Sequence, residues 1–231
     1  QRLLAEPALA RLSVTSLVQQ GHPADHIIDA AIDVDLVVLG IQGSGTAPML
    51  GTVARQVVHA SPVPVLLVPP EGKEPALSSA GAAMLPVQQL VLALHVAQYA
   101  PRALALSQAL CTLCQATLSV LQVLDPQMFR TYPLDAGSGL SYNIEGTYAL
   151  LQKRLEEVVP DTFAPGVERL VVIGDPTSTI VQHVHNRQAD LVVLSVHTYG
   201  DLQKLFTPST VDALLSQITC PMLVVPMPRD R

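Results

Sequence analysis

At 231 residues the chain has room for two ordinary domains of about 100 to 150 residues each. Hydrophobic residues make up 49% and charged residues only 14%, a balance that supplies buried sheets and excludes a disordered chain. The net charge is −6 with Lys and Arg scattered singly, so no basic stripe is available to neutralise a nucleic-acid backbone, and the longest apolar runs, Leu36 to Leu39 and Val63 to Val68, fall far short of the roughly 20 residues that cross a bilayer.

The chain opens on Gln1, with no charged segment and apolar core of the signal-peptide kind, and is expected to begin inside a longer protein. Arg2 to Leu9 reads as the end of a helix, Leu12 to Gln19 as a strand, Gly21-His22-Pro23 as a turn and Ala24 to Ile32 as a helix. Asp35-Leu-Val-Val-Leu-Gly40 is a short apolar strand. A glycine-rich turn, a helix from Thr52 to about Ala60 and the terminal strand Pro62-Val-Pro-Val-Leu-Leu-Val-Pro69 follow it. Residues 71–86, rich in Pro, Gly, Ser and Ala, read as linker.

Beyond the linker, Gln88 to His95 suits a buried strand and Arg102 to Ala116 carries apolar residues at helical spacing. Thr117 to Leu124 is the next strand, Asp125 to Gly146 a loop, and Thr147 to Val159 a helix. Val167 to Ile173 is a third strand. Gly174-Asp175-Pro176 turns it into a helix whose first turn offers Thr177, Ser178 and Thr179 as caps. Asp190 to Val196, Pro208 to Ile218 and Pro221 to Val225 complete the alternation as strand, helix and strand.

The chain therefore contains one unit written twice: Asp35-Leu-Val-Val-Leu-Gly40 leads to Pro62-Val-Pro-Val-Leu-Leu-Val-Pro69, and Asp190-Leu-Val-Val-Leu-Ser195 leads to Cys220-Pro-Met-Leu-Val-Val-Pro226. Runs of Val and Leu without polar alternation mean strands covered on both faces, so the expected class is α/β, two tandem doubly wound parallel-sheet domains of Rossmann-like type. The division expected is 1–70 for a partial first copy, 71–86 for the linker and 87–231 for a complete second copy. Copy one lacks counterparts of the first strand, first helix and second strand. Its remnant cannot close such a sheet alone, so the missing part is expected upstream, or copy one completes itself against copy two.

A parallel α/β sheet binds ligands at the carboxyl ends of its strands, beside helix N-termini. In copy one, Gly40, Gly43, Gly45 and Gly51 surround that end, where glycine lets backbone amides approach an anion, and Thr52 adds a hydroxyl and a cap at the helix start. Three glycines in a strand-to-helix turn are as often simple turn chemistry. In copy two the corresponding positions are Ser195, Thr198, Pro208 and Ser209, and a proline at the helix start removes one N–H donor.

The remaining polar candidates carry less. His183 and His185, two apart on one helix, point to different faces and are expected to be solvated; Asp175 is expected to be a turn and cap device, and Glu156 and Glu157 solvated helix charges. Cys111-Thr-Leu-Cys114 lacks a second ligand pair and reads as buried thiols, and the odd count of three cysteines points to a reducing cytoplasm. No catalytic triad, Gly-x-Ser-x-Gly elbow, Walker loop or zinc constellation is written in the chain, so a non-catalytic protein is expected, an enzyme being the weakest reading.

Gly40-x-x-Gly43 and Gly51-Thr52, with the helix and strand through Val65 that follow, resemble the Gly-x-x-Gly, nine residues, Gly-Ser/Thr motif of the universal stress protein family, and the likeness runs along nearly the whole chain. The chain departs from that motif in having seven residues between Gly43 and Gly51, whereas copy two keeps nine, Tyr199 to Thr207. Copy two also has His95 where family members that bind ATP carry an acidic residue at the end of the first strand. The resemblance implies a cytoplasmic, regulatory stress-response protein that binds ATP or another adenine nucleotide in copy one, with magnesium only through the nucleotide, while copy two is degenerate. It also implies pairing through the terminal strands, as a homodimer or as an intramolecular pseudo-dimer. The alternative is the cytosolic regulatory tail of a membrane transporter that does not itself bind ATP.

Overall fold

The computed structural model describes residues 13–41, 51–69, 87–94, 100–126, 144–164, 166–196 and 208–227. In copy one these form α1 (Pro23–Ala30) with a 3-10 turn (Ala31–Asp33), β1 (Val37–Gly40), α2 (Thr52–Ala60) and β2 (Val65–Val68). In copy two they form β3 (Gln89–Leu94), α3 (Pro101–Cys114), β4 (Thr117–Leu124), α4 (Ile144–Val158), β5 (Glu168–Ile173), α5 (Pro176–Arg187), β6 (Leu191–Val196), α6 (Pro208–Leu215) and β7 (Met222–Pro226). Alternating strands and helices give a largely parallel α/β sheet, as the apolar strand runs demand.

All seven strands join one sheet in the order β1-β2-β7-β6-β3-β4-β5. Every neighbouring pair is parallel except β2 and β7, which run antiparallel with Val65 opposite Val224, Leu66 opposite Leu223 and Leu67 opposite Met222. The two terminal strands of the repeat thus meet edge to edge and fuse the copies into a single sheet.

Two apolar layers cover it. On one face α1, α2, α5 and α6 pack on Val65, Leu67, Val91, Leu121, Val192, Leu194 and Met222. On the other, α3 and α4 pack on Leu90, Leu92, Leu118, Val120, Val193 and Val225. Strands β6 and β7 are buried at every position, as a central parallel strand should be. At the copy-one end the second face is thinner. Edge strand β1 alternates partly buried and exposed residues, and Leu36, Val38 and Val68 stand in solvent among the described residues.

The expected strand from Leu12 to Gln19 does not form over 13–19, and Val14, Leu17 and Val18 are exposed there. Its counterpart β5 pairs only with β4, the second strand of the unit. Copy one has no such neighbour among the described residues, and an extended segment without a ladder partner has no reason to stay a strand. The helix expected over Arg2–Leu9 lies outside the described residues, as does most of the loop expected from Asp125, and α4 begins at Ile144 rather than Thr147.

The second-copy strands are tied at their amino ends by side chains. The Asp190 carboxylate accepts the backbone N–H groups of Gln88 at 2.8 Å and Gln89 at 2.9 Å, which holds the start of β3 beside β6. Asp175 caps α5 by accepting the Ser178 N–H at 2.9 Å and the Ser178 hydroxyl at 2.8 Å. In copy one, His22 at the equivalent position makes no side-chain cap.

Candidate functional site

Strand β1 ends at Gly40, and the next residue, Ile41, donates its N–H to the Val68 carbonyl at 3.0 Å, continuing the ladder with β2. The chain returns at Gly51, whose N–H donates to the Ile41 carbonyl at 3.2 Å, so the turn closes on itself at the carboxyl end of the sheet. Gly43 and Gly45 lie outside the described residues. Among the described residues, no atom beyond its chain neighbours stands within 4 Å of the point where a Cβ on Gly40 would be.

Gly51, not Thr52, is the N-cap of α2, with φ −58° and ψ 146°, a conformation that any residue adopts. Thr52 is the first helical residue, one position past the cap expected of it at the helix start. The Arg55 N–H, bonded to the Gly51 carbonyl at 3.0 Å, is the first helical donor. The N–H groups of Thr52, Val53 and Ala54 therefore have no acceptor within the helix, and the positive end of its dipole faces the strand ends.

The same place in copy two is built differently. Ser195 stands where copy one has Gly40 and is 3% exposed, with a hydroxyl that has no hydrogen-bond partner among the described residues. It lines a shallow surface dent with Ala100, Pro101, Arg102 and Ala103 at the start of α3 and Val225, Pro226 and Met227 at the end of β7. Helix α6 starts at Pro208, which offers no N–H, while His95 and Thr198 lie outside the described residues.

The histidine pair divides as the helix geometry says, but one member is not solvated. His183 lies three residues from buried Ile180 and beside buried Val184, on the stripe of α5 that meets the sheet, whereas His185 is exposed. The His183 Nε2 is 2.7 Å from Ser119 Oγ, Ser119 donates onward to Glu168 at 3.4 Å, and Arg187 pairs with Glu168. Burial lowers the His183 pKa, with the Arg187 charge adding to it and Glu168 opposing. The spacing from Ile180 was the signal for this burial. The cluster sits at the amino ends of β4 and β5, opposite the strand ends where ligands bind in such sheets.

Cys111 and Cys114 are buried on α3, and Cys220 is partly buried. Burial pushes the Cys111 thiol up to about 11, with Cys114 adding to it, and burial likewise takes Cys220 to about 11. Glu156 and Glu157 are exposed, Glu157 pairing with Arg154 across one turn at 3.8 Å. Among the described residues no helix is long and apolar enough to cross a membrane.

Comparison with known proteins agrees with this architecture. The family model described as universal stress protein family matches residues 1–69 and 88–226. A universal stress protein of Methanocaldococcus jannaschii is 20% identical over 122 residues, covering 48% of this chain and 72% of its own length. Among solved structures, a universal stress protein from Archaeoglobus fulgidus superposes with a TM-score of 0.60 at 17% identity, over 90% of this chain and 67% of its own. A protein from Pseudomonas aeruginosa described as a universal stress protein superposes with 0.68 at 15% identity, over 98% and 76%. These likenesses carry the fold, and the match over nearly the whole chain carries the family: the chain belongs to the universal stress protein family.

Proposed function

We propose that the carboxyl end of β1 and β2 binds an adenine nucleotide, ATP or a relative of it, and that the protein is a non-catalytic regulatory module in which copy two is the structural partner. The observation that carries this reading is the contrast between equivalent strand ends. In copy one Gly40 brings no side chain to the strand end and α2 presents three N–H groups without helical acceptors, whereas in copy two Ser195 and Pro208 occupy the positions of Gly40 and Gly51. Phosphate oxygens are the acceptors such a helix end suits, and magnesium would enter only with them. Nucleotide occupancy would act by favouring one arrangement of the protein over another, by as much as its affinity differs between them.

The test is Gly51→Asp. Because Gly51 has ordinary N-cap dihedrals, aspartate fits there and caps α2 itself, so the fold should be kept or slightly stabilised while a carboxylate takes the place of the phosphate. Calorimetric titration with ATP, ADP and AMP, with and without magnesium, should show binding to the parent chain, no binding to Gly51→Asp, and unchanged binding to Pro208→Asp. Loss of binding in both variants, or in neither, would sink the assignment to copy one.

A further inference from the structure

The seam between the copies carries a charge arrangement that the repeat makes unusual. From the fourth helix of the unit onward the two copies are offset by 157 residues, which makes Leu66 equivalent to Leu223 and Arg55 equivalent to Asp212. Leu66 and Leu223 are the central pair of the antiparallel β2–β7 ladder, and Arg55 and Asp212 are joined by an ion pair of 2.7 Å between α2 and α6. Two equivalent pairs that each meet themselves across the seam define a local two-fold axis, and both lie on it.

On such an axis, a copy paired with its own kind would place identical residues against each other. Copy two against copy two would bring Asp212 to Asp212. The Asp212 side chain is only 23% exposed and its Oδ1 is buried without a hydrogen-bond partner among the described residues, so this pairing would leave two partly desolvated carboxylates facing each other with no cation. Copy one against copy one would bring together two Arg55 guanidiniums, on side chains that are 55% exposed. Only the mixed pairing balances charge.

We infer that the Arg55/Asp212 position encodes the choice of partner at this seam: the terminal-strand face of each copy fits the other copy and rejects its own kind, so this edge joins unlike halves and is not a face for self-association. The apolar β2–β7 ladder is nearly symmetric and could not make that choice, because Val, Leu and Met pair about as well with themselves as with each other. A like-charge clash at a partly buried position supplies it.

The experiment uses the full chain. Arg55→Asp creates at the axis the Asp/Asp combination of a copy-two self-pair, and Asp212→Arg creates the Arg/Arg combination of a copy-one self-pair. Thermal melting of the parent, both single variants and the double variant Arg55→Asp/Asp212→Arg is followed by circular dichroism. Each single variant should melt lower by at least about 2–4 °C, the shift that about 1 kcal/mol gives in a chain of this size, and the double variant should return to within about 1 °C of the parent. A single variant that does not fold, alongside a double variant that does, supports the inference equally. Single variants that melt with the parent, or a double variant whose loss equals the sum of the two, would overturn it.

Discussion

The strand sequence Asp-Leu-Val-Val-Leu occurs in both copies, and the structure gives its aspartate a different consequence in each. Asp190 holds the backbone N–H groups of Gln88 and Gln89 at 2.8 and 2.9 Å, whereas Asp35, its equivalent, is exposed and has no partner among the described residues. Replacing Asp190 by alanine removes an ionised acceptor from two donors at the entrance of β3. Hydrogen bonds to charged groups contribute about 1.5–3 kcal/mol each, but water can reach the exposed Gln88 amide and recover most of its bond. The net loss is then about 2 kcal/mol, almost all from the partly buried Gln89 amide, and in a chain of this length it should lower the melting temperature by about 4–8 °C. Asp190→Asn, which keeps one acceptor oxygen, should lose less, and Asp35→Ala should melt within about 1 °C of the parent. Urea titration would confirm that the midpoint moves while the slope does not. If Asp35→Ala and Asp190→Ala lost equal stability, the aspartate would be acting within its own strand and the cross-strand argument would fail.

The cap asymmetry makes a parallel pair: Asp175→Ala should cost about 1 kcal/mol through loss of the Ser178 bond, while His22→Ala should cost nothing measurable by melting, because His22 makes no cap. His59 and His183 both have pKa values lowered by burial, so the unfolded chain takes up protons that the folded chain refuses as pH falls below the ordinary histidine value of about 6.5. Stability should therefore be full well above that value and decline as pH falls through it, and His59→Gln/His183→Gln should flatten the slope of the urea midpoint over that fall. The buried thiols Cys111 and Cys114, both raised by burial, should be inert in the native chain, so a thiol reagent near neutral pH should label them at the rate of unfolding, while partly buried Cys220, raised to about 11, should react slowly. Fast labelling of any of them in the folded protein would contradict the packing of α3 or of the β7 entrance.

The sequence by itself determined the class and the order of elements. Unbroken Val and Leu runs with helical segments between them allow little except a parallel sheet covered on both faces, and Gly-Asp-Pro, Pro101 and the prolines around Val65 mark element ends because proline and glycine restrict the backbone locally. It also showed that copy two departs from copy one at Ser195 and Pro208, since substitution at an equivalent position is visible in any repeat. What required tertiary structure was everything set by a partner distant in the chain. Leu12 to Gln19 carries a strand pattern, yet a strand exists only where a ladder partner does, and none is present among the described residues. Asp190, His183 and Arg55 read as ordinary polar residues until the backbone of Gln88, the hydroxyl of Ser119 and the carboxylate of Asp212 are brought to them across 102, 64 and 157 residues. The antiparallel meeting of β2 with β7, which fixes both the continuous sheet and the axis at its seam, depends on edge-to-edge hydrogen bonds that leave no local pattern in either strand.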